Sequence, residues 1–530
     1  MKGVILKGAM CVLVAAMFLT PVTPTAKENI AKQDNENTQI NFSSIFQDEW
    51  NKRYGGPEYD LLYCVKETND GGYIAAGVYT QNDVQYAWLV KVDGEGNLEW
   101  ESTELPNPDY ILPTYVQQTN DGGYIVCGVY QAKVKVGLYK GFLWKVDENG
   151  DTEWIKSYVE RIWVVLEEED GYICTGYAVL TEDDYDALLM KMDLNGKTQW
   201  KKVYKYGEGI DEGQSLCKTN DGGYLIGGYA GVGGKFDFWM IKTDSNGNKE
   251  WDKTYGGPKY DISYSRNCFQ TEDGGYIMNG WTDSYGAGKE DVWVIKTDSN
   301  GNMEWSKTYG GKGTDYSWSM EKTLDGGYLL CITKNYGGAF GWTGDIWIVK
   351  IDENGNMLWN QTFGGNREDR GYYITETSDG GYIVAGRTKS FSGSSDGWLI
   401  KVNNFPPNKP DAPSGPSSGK IKTEYTYTTS SIDLNGDEVY YMWDWGDNTT
   451  SDWLGPFPSG KVADAKHTWI EEGNYVVRVK AKDSYGHESP WSDPLSVSMP
   501  KSYKNPVVAL IQKLNEWLSQ TFGKEILPSF

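Results

Sequence analysis

Over the first four hundred positions the apolar residues fall in short bounded runs rather than at helical spacing. Runs such as Tyr382-Ile383-Val384-Ala385-Gly386 are β-branched and end on glycine, the mark of a buried strand. Each follows a turn Asp-Gly-Gly-Tyr, at Asp70, Asp121, Asp221, Asp273, Asp325 and Asp379, with a shortened Asp170-Gly171-Tyr172 filling the gap. Successive aspartates stand 49 to 54 residues apart. After each run comes a Gly-rich loop, then a strand patterned Asp-x-Trp-x-x-Lys, as in Asp291 to Lys296, then a turn such as Asp298-Ser299-Asn300-Gly301, then a strand carrying Trp305. Asn-Gly between strands predicts a hairpin, because both central residues must tolerate positive φ.

Four strands, lettered A to D, in a unit of about 50 residues, repeated seven times, predict an all-β fold: a seven-bladed β-propeller over residues 45–403. The last repeat stops after its C strand at Lys401, and a surplus D strand surrounds Trp50. The N-terminal strand is therefore expected to complete the seventh blade and close the ring, removing an exposed sheet edge. Residues 404–420 are rich in proline, glycine and serine and read as an exposed linker. Short alternating strands over 421–499 predict a β-sandwich. Within 500–530, Val507, Leu510, Ile511, Leu514, Trp517, Leu518 and Phe522 keep helical spacing and predict a short amphipathic helix. That helix is expected to dock on the sandwich, pair with a partner or lie on a membrane surface.

Charge and termini narrow the function classes. The net charge is −24, which argues against nucleic acid, because phosphate binding rests on Lys and Arg. Residues 1–26 carry Lys2 and Lys7, an apolar run from Gly8 to Leu19, and small residues up to Ala26, the layout of a signal peptide. Residues 27–44 read as a flexible N-terminal segment. No later run is long enough to span a membrane, so a secreted or cell-surface protein is expected. Cys64, Cys127, Cys174, Cys217, Cys268 and Cys331 have no metal-binding spacing and read as buried thiols, with disulfides open in an exported protein. The two histidines, His467 and His487, both lie near the C-terminal end.

Two stretches resemble known families. Trp293 to Trp305, Trp-Val-Ile-Lys-Thr-Asp-Ser-Asn-Gly-Asn-Met-Glu-Trp, resembles the strand-turn-strand unit of quinoprotein-like and kelch-like propellers. The stretch 45–403 is similar to DGGY-repeat propellers of prokaryotic surface proteins. Trp443-Asp444-Trp445-Gly446-Asp447, His467-Thr468-Trp469 and Gly473-Asn474-Tyr475-Val476-Val477 resemble the polycystic-kidney-disease (PKD) domain, with Trp445 in place of Phe and Trp469 in place of Tyr. The resemblance implies an immunoglobulin-like sandwich acting as a spacer or adhesion module.

Most propeller tryptophans fill the two repeated framework positions; Trp163, Trp281, Trp318 and Trp342 do not. Strand order puts them at or near the face of the long D-to-A and B-to-C loops, where exposed aromatic rings would bind an extracellular glycan or surface protein. On the same face Asp60, Asp211, Asp261, Asp315 and Asp369 form an acidic ring that either holds a cation such as Ca²⁺ or caps its own turns. Asp433, Asn435 and Asp437 alternate like the start of a calcium loop. The reading is a binding or adhesion scaffold with no assigned catalytic residue. The alternative is a glycan-active hydrolase or lyase using acidic residues on that face. For a sialidase-like site the arginines would be Arg367, Arg370 and Arg387.

Overall fold

The apolar runs after the Asp-Gly-Gly turns are strands buried along nearly all their length; in Tyr382–Thr388 every residue is buried. The computed structural model describes residues 48–107, 109–131, 139–181, 184–264, 266–335, 344–391, 394–500 and 506–522. The signal peptide and the segment 27–44 lie outside the described residues. The chain divides into two units, Met1–Asn404 and Phe405–Phe530.

In the first unit the described residues form seven antiparallel sheets of four or five strands, an arrangement that fits a propeller. Each sheet follows the order A-B-C-D, and the A strand of each packs on the preceding sheet, as Arg161–Glu168 does on Tyr124–Gln131. The series closes on itself, because Leu61–Glu67 of the first sheet packs on Tyr382–Thr388 of the seventh. Asp48–Tyr54 supplies the seventh sheet's D strand, with Trp50 opposite Lys401 and Arg53 opposite Trp398. The fifth sheet departs from the pattern. Asp261 and Asp273 are two residues further apart than their counterparts, and the A strand breaks into Asp261–Ile262 and Phe269–Gln270.

Two repeated contacts hold this unit together. Six of the seven D-strand indoles lie on the hairpin glycine of the next sheet: Trp50 on Gly96, Trp100 on Gly150, Trp154 on Gly196, Trp200 on Gly247, Trp251 on Gly301 and Trp305 on Gly355; the seventh, Trp359, packs on Tyr382. At five of these six pairs a tyrosine four residues beyond the tryptophan donates to the same glycine's carbonyl, as from Tyr54 to Gly96 (2.7 Å) and from Tyr255 to Gly301 (2.6 Å). Within each sheet the buried C-strand lysine meets the aspartate of the Asp-Gly turn: Lys91 with Asp70 (2.9 Å), Lys145 with Asp121 (3.0 Å), Lys242 with Asp221 (2.7 Å), Lys401 with Asp379 (2.8 Å). Hydrogen bonds from Lys242 and Thr219 bring the Asp221 carboxyl down to about 2. The repeated aspartate is thus the counter-ion of a buried lysine, as well as a turn residue. The six cysteines among the described residues are free thiols, all but Cys217 buried.

In the second unit Tyr425–Thr429 pairs with Ala463–His467, and a second sheet runs in the order Leu454–Phe457, Val439–Asp444, Gly473–Lys482, Leu495–Met499. Tyr427, Trp443, Trp445 and Trp469 centre its core. The Trp445 indole stacks on the His467 ring at 4.6 Å, and His467 Nε2 lies 2.8 Å from Asp447 Oδ2. The expected linker 404–420 is in good part an edge of this sandwich. Asn408, Asp411 and Ser414 donate to the carbonyls of Ile432, Ser430 and Thr428 at 2.8 to 2.9 Å. Proline is tolerated there because the pairing uses N–H groups of the residues between the prolines. The helix Pro506–Phe522 forms as expected, but Leu510, Leu514 and Trp517 are 68%, 48% and 57% exposed, so the sandwich does not cover its apolar stripe. Among the described residues no helix is long and apolar enough to cross a membrane.

The seam contact is testable at one glycine. Gly301 has φ +75° and a Cβ there would stand 2.8 Å from the Trp251 ring, whereas Gly274, at φ +84°, faces open space. Gly274→Ala is expected to lower stability by about 1 to 2 kcal/mol from backbone strain alone. Gly301→Ala should add about 1 to 3 kcal/mol of overpacking to that loss. Equal shifts in denaturant midpoint for the two variants would show that the indole contributes nothing at the seam.

Candidate binding site

The inner strands share one irregularity. In six sheets the A–B register skips a residue at the same point: between Leu62 and Cys64, Pro113 and Tyr115, Ile162 and Val164, Gly213 and Ser215, Ser317 and Ser319, and Gly371 and Tyr373. The bulged residues are Tyr63, Thr114, Trp163, Gln214, Trp318 and Tyr372. Each stands seven positions before the aspartate of its Asp-Gly turn, and Arg266 holds that position in the fifth sheet. A bulge frees one side chain from the pleat and re-aims it. Here the aim is a common axis, because side chains of A strands from non-neighbouring sheets meet. The Arg266 guanidinium lies 4.7 Å over the Trp163 ring, Asn267 Nδ2 donates to Tyr373 Oη at 3.0 Å, and Lys66 Nζ is 3.8 Å from Glu321.

Two of the four sequence-selected tryptophans, Trp163 and Trp318, are therefore axial residues, both half-buried. Trp281, next to last in Tyr276–Thr282, lies 5.4 Å from Tyr316, which lies 6.4 Å from Trp318. The row continues from Trp318 to Tyr372 (5.5 Å) and from Tyr372 to Tyr63 (4.3 Å). Trp281 and Trp318 thus belong to one aromatic row through sheets five, six, seven and one. Trp163 is placed apart from them, beneath Arg266. Trp342 lies outside the described residues.

Beside Trp163 is a polar group that the sequence reading missed. The Arg161 guanidinium is 4.8 Å from the rings of Tyr139 and Tyr177 and 5.4 Å from that of Tyr185, and it donates to Tyr177 Oη. Gln214 Nε2 donates to Glu212 Oε2 at 2.7 Å, while Gln214 Oε1 accepts from Arg266. Burial pushes the Glu212 carboxyl up to about 7, against the pull of Arg161. Arg161 Nε and Trp163 Nε1 are buried without an acceptor. Counting seven and nine residues back from each turn aspartate would have found Arg266, Gln214, Arg161 and Glu212 in the sequence.

The acidic ring takes the turn-capping form. Asp60 accepts from the N–H groups of Gly56 (2.6 Å) and Thr80 (2.7 Å), Asp211 from those of Tyr206 (2.8 Å) and Gly231 (2.9 Å), and Asp315 from those of Gly311 (3.0 Å) and Asn335 (2.9 Å). Asp261 and Asp369 accept from Gly257 (2.7 Å) and Gly365 (2.9 Å), and from the hydroxyls of Ser284 (2.8 Å) and Ser390 (2.5 Å). Each carboxylate ties its own D-to-A loop to the end of its own B strand, rather than joining the other four in a cage. Two of the three candidate arginines are likewise committed. Buried Glu368 binds Arg370 (Nε, 2.6 Å) and Arg387 (3.0 Å), with Lys389 (2.8 Å) on the same carboxylate, so neither guanidinium is open as a sialidase-like reading needs, while Arg367 is exposed.

At the opposite end of the axis, beside the Asp-Gly turns, a cavity of about 340 Å³ is lined by Lys66, Tyr115, Leu166, Cys217, Phe269 and Glu321, among others. In the second unit the carboxylates of Asp433, Asp437 and Asp483 come within 4.8 Å of one another, all buried. Asp433 Oδ2 has no hydrogen-bond partner, and burial pushes this carboxyl up to about 7. The Asn435 side-chain oxygen is turned to the Phe405 N–H (3.0 Å), so the third acid of the cluster is Asp483, from a distant loop. Three converging carboxylates could hold a hard divalent cation.

No curated protein matches the chain. Among solved structures, Sqt1 from Chaetomium thermophilum is 10% identical, covering 68% of this chain and 100% of that one, with a TM-score of 0.40. A GH43 β-xylosidase/α-arabinofuranosidase from a compost microbial metagenome is 13% identical, covering 55% and 95%, with a TM-score of 0.25. The PKD domain of an M14-like peptidase from a Thermoplasmatales archaeon is 48% identical, covering 18% of this chain and 99% of that domain, with a TM-score of 0.18. The family model for the PKD domain matches residues 412–493, and through this domain the chain belongs to the PKD family.

Proposed function

We propose that the first unit is a closed seven-bladed propeller of the DGGY-repeat kind and that the protein is a secreted or cell-surface binding scaffold. Its ligand is a glycan, held at the axial mouth on the long-loop face. The observation that carries this reading is the aromatic row Trp281, Tyr316, Trp318, Tyr372 and Tyr63, three of whose rings, Trp318, Tyr372 and Tyr63, are bulged residues. Flat apolar rings grouped with a few polar donors suit the mixed apolar and hydroxylated faces of a sugar. The PKD domain adds the spacer or adhesion module expected beside such a binder. The alternative, a hydrolase or lyase, is less well served. Glycoside hydrolysis in its usual form needs two carboxyl groups about 5 to 10 Å apart. Glu212 supplies an acid, but Glu368 and the five loop aspartates are each committed to structural partners. The Asp433, Asp437 and Asp483 cluster is proposed as a calcium site that braces the PKD domain.

Two measurements test these readings. Trp281→Ala and Trp318→Ala should each weaken retention on cell-wall polysaccharide by about 1 to 4 kcal/mol, the range of a binding hot spot, with an unfolding midpoint near that of the parent. Unchanged retention would move the site elsewhere. For the metal, calcium in the millimolar range should raise the PKD unfolding temperature by mass action, and Asp437→Ala should abolish the rise. The folded Asp433 carboxyl titrates near 7, above its unfolded value, so without metal stability should fall as pH rises from about 4 to about 7. Calcium binding needs the carboxylate form, so its stabilising shift should be larger at pH 8 than at pH 6. A pH-independent shift would show that Asp433 is not a ligand.

A further inference from the structure

Elsewhere in the first unit the buried cations meet carboxylates. The C-strand lysines face the turn aspartates, and Arg370 and Arg387 share Glu368. Arg161 and Arg266 differ. Among the described residues neither has a carboxylate at ion-pair distance: their direct contacts are aromatic faces, a tyrosine hydroxyl and an amide oxygen, and Glu212 acts on both only through space. We infer that the Arg161, Trp163 and Arg266 cluster seats the carboxylate of an acidic sugar, so that the glycan bound at the axial mouth is a polyuronate-type chain. This rests on the glycan-binding reading above and adds its chemical class.

Three features support the seat. Guanidinium keeps its charge at any physiological pH and its donor fork matches a carboxylate in two-point geometry. Two donors in the cluster, Arg161 Nε and Trp163 Nε1, are buried and lack acceptors, and a carboxylate supplies acceptors only. The Tyr177 ring lies 6.1 Å from Trp163 and 4.8 Å from Arg161, so the two donor side chains pack around one tyrosine, and the Arg266 guanidinium lies 4.7 Å over the Trp163 ring. The nearby acid is Glu212, whose burial favours the neutral form near pH 7, so it offsets the two guanidiniums only in part. The rest of the molecule works against a polyanion, with a net charge of −24. Capture must therefore come from this local excess of positive charge, not from long-range attraction.

The test compares polygalacturonate with its fully methyl-esterified counterpart, using the full chain at physiological salt. The acidic polymer is expected to bind at least tenfold more tightly than the neutral one. Arg161→Gln and Arg266→Gln should each remove most of that preference, with unfolding midpoints recorded alongside. Glu212→Gln takes away a competing negative charge while keeping both guanidiniums, and should strengthen polygalacturonate binding severalfold. That gain cannot arise from a damaged fold. Equal binding of the two polymers, or tighter binding of the ester, would overturn the acidic-sugar inference and leave the glycan reading standing. Binding of neither polymer, nor of any neutral cell-wall polysaccharide, would overturn both.

Discussion

The first unit depends on the contact between an indole and a glycine that belong to different sheets. A sheet of four strands cannot bury both its faces alone, so its stability is borrowed from its neighbours. Laying Trp251 on Gly301, and repeating that pairing from sheet to sheet, turns a series of weak hairpins into a mutually supporting set. The glycine must have no side chain because the ring occupies that space, and it must accept positive φ because it closes a hairpin. One residue meets both demands. The tyrosine hydroxyl that reaches its carbonyl adds a hydrogen bond across the seam, and Trp50 on Gly96 extends the same arrangement across the join between the first and seventh sheets.

Much of this architecture was legible in the sequence, because hairpin and turn chemistry is local. Asp-Gly-Gly-Tyr, Asn-Gly and the paired tryptophans each state a backbone requirement within a few residues, and the unpaired strand around Trp50 stated the closure. The PKD signature was equally local. Less legible was whatever depends on two distant residues. Nothing near Asp70 announces Lys91, although their ion pair adds a second role to the turn aspartate. Asp483 joins Asp433 and Asp437 only through the sandwich fold, whereas Asn435, the residue that looked like a ligand by spacing, turns to Phe405.

The candidate site was half legible for a related reason. Trp163 and Trp318 stood out because they broke the repeat, but Arg266 and Gln214 hold the same place and carry no such mark. A bulge adds one residue without changing composition, so only alignment on the turn aspartates reveals it. The acidic ring misled in the opposite direction. Its five aspartates recur at matched positions, but recurrence reflects the same loop being tied five times, and the carboxylates are already saturated by their own N–H groups and hydroxyls.

The bulge also separates two tasks that most strand positions must perform together. A residue in register contributes to the ladder and to the packing on either side, so its identity is constrained from several directions at once. The extra residue in each inner strand stands outside the pairing. Tyrosine, threonine, tryptophan and glutamine all occupy that place in one molecule, with strands of nearly the same register around them. In six sheets the axial position is thus set by a residue outside the ladder, and a substitution there changes the lining of the axis without disturbing the pairing that holds the sheet.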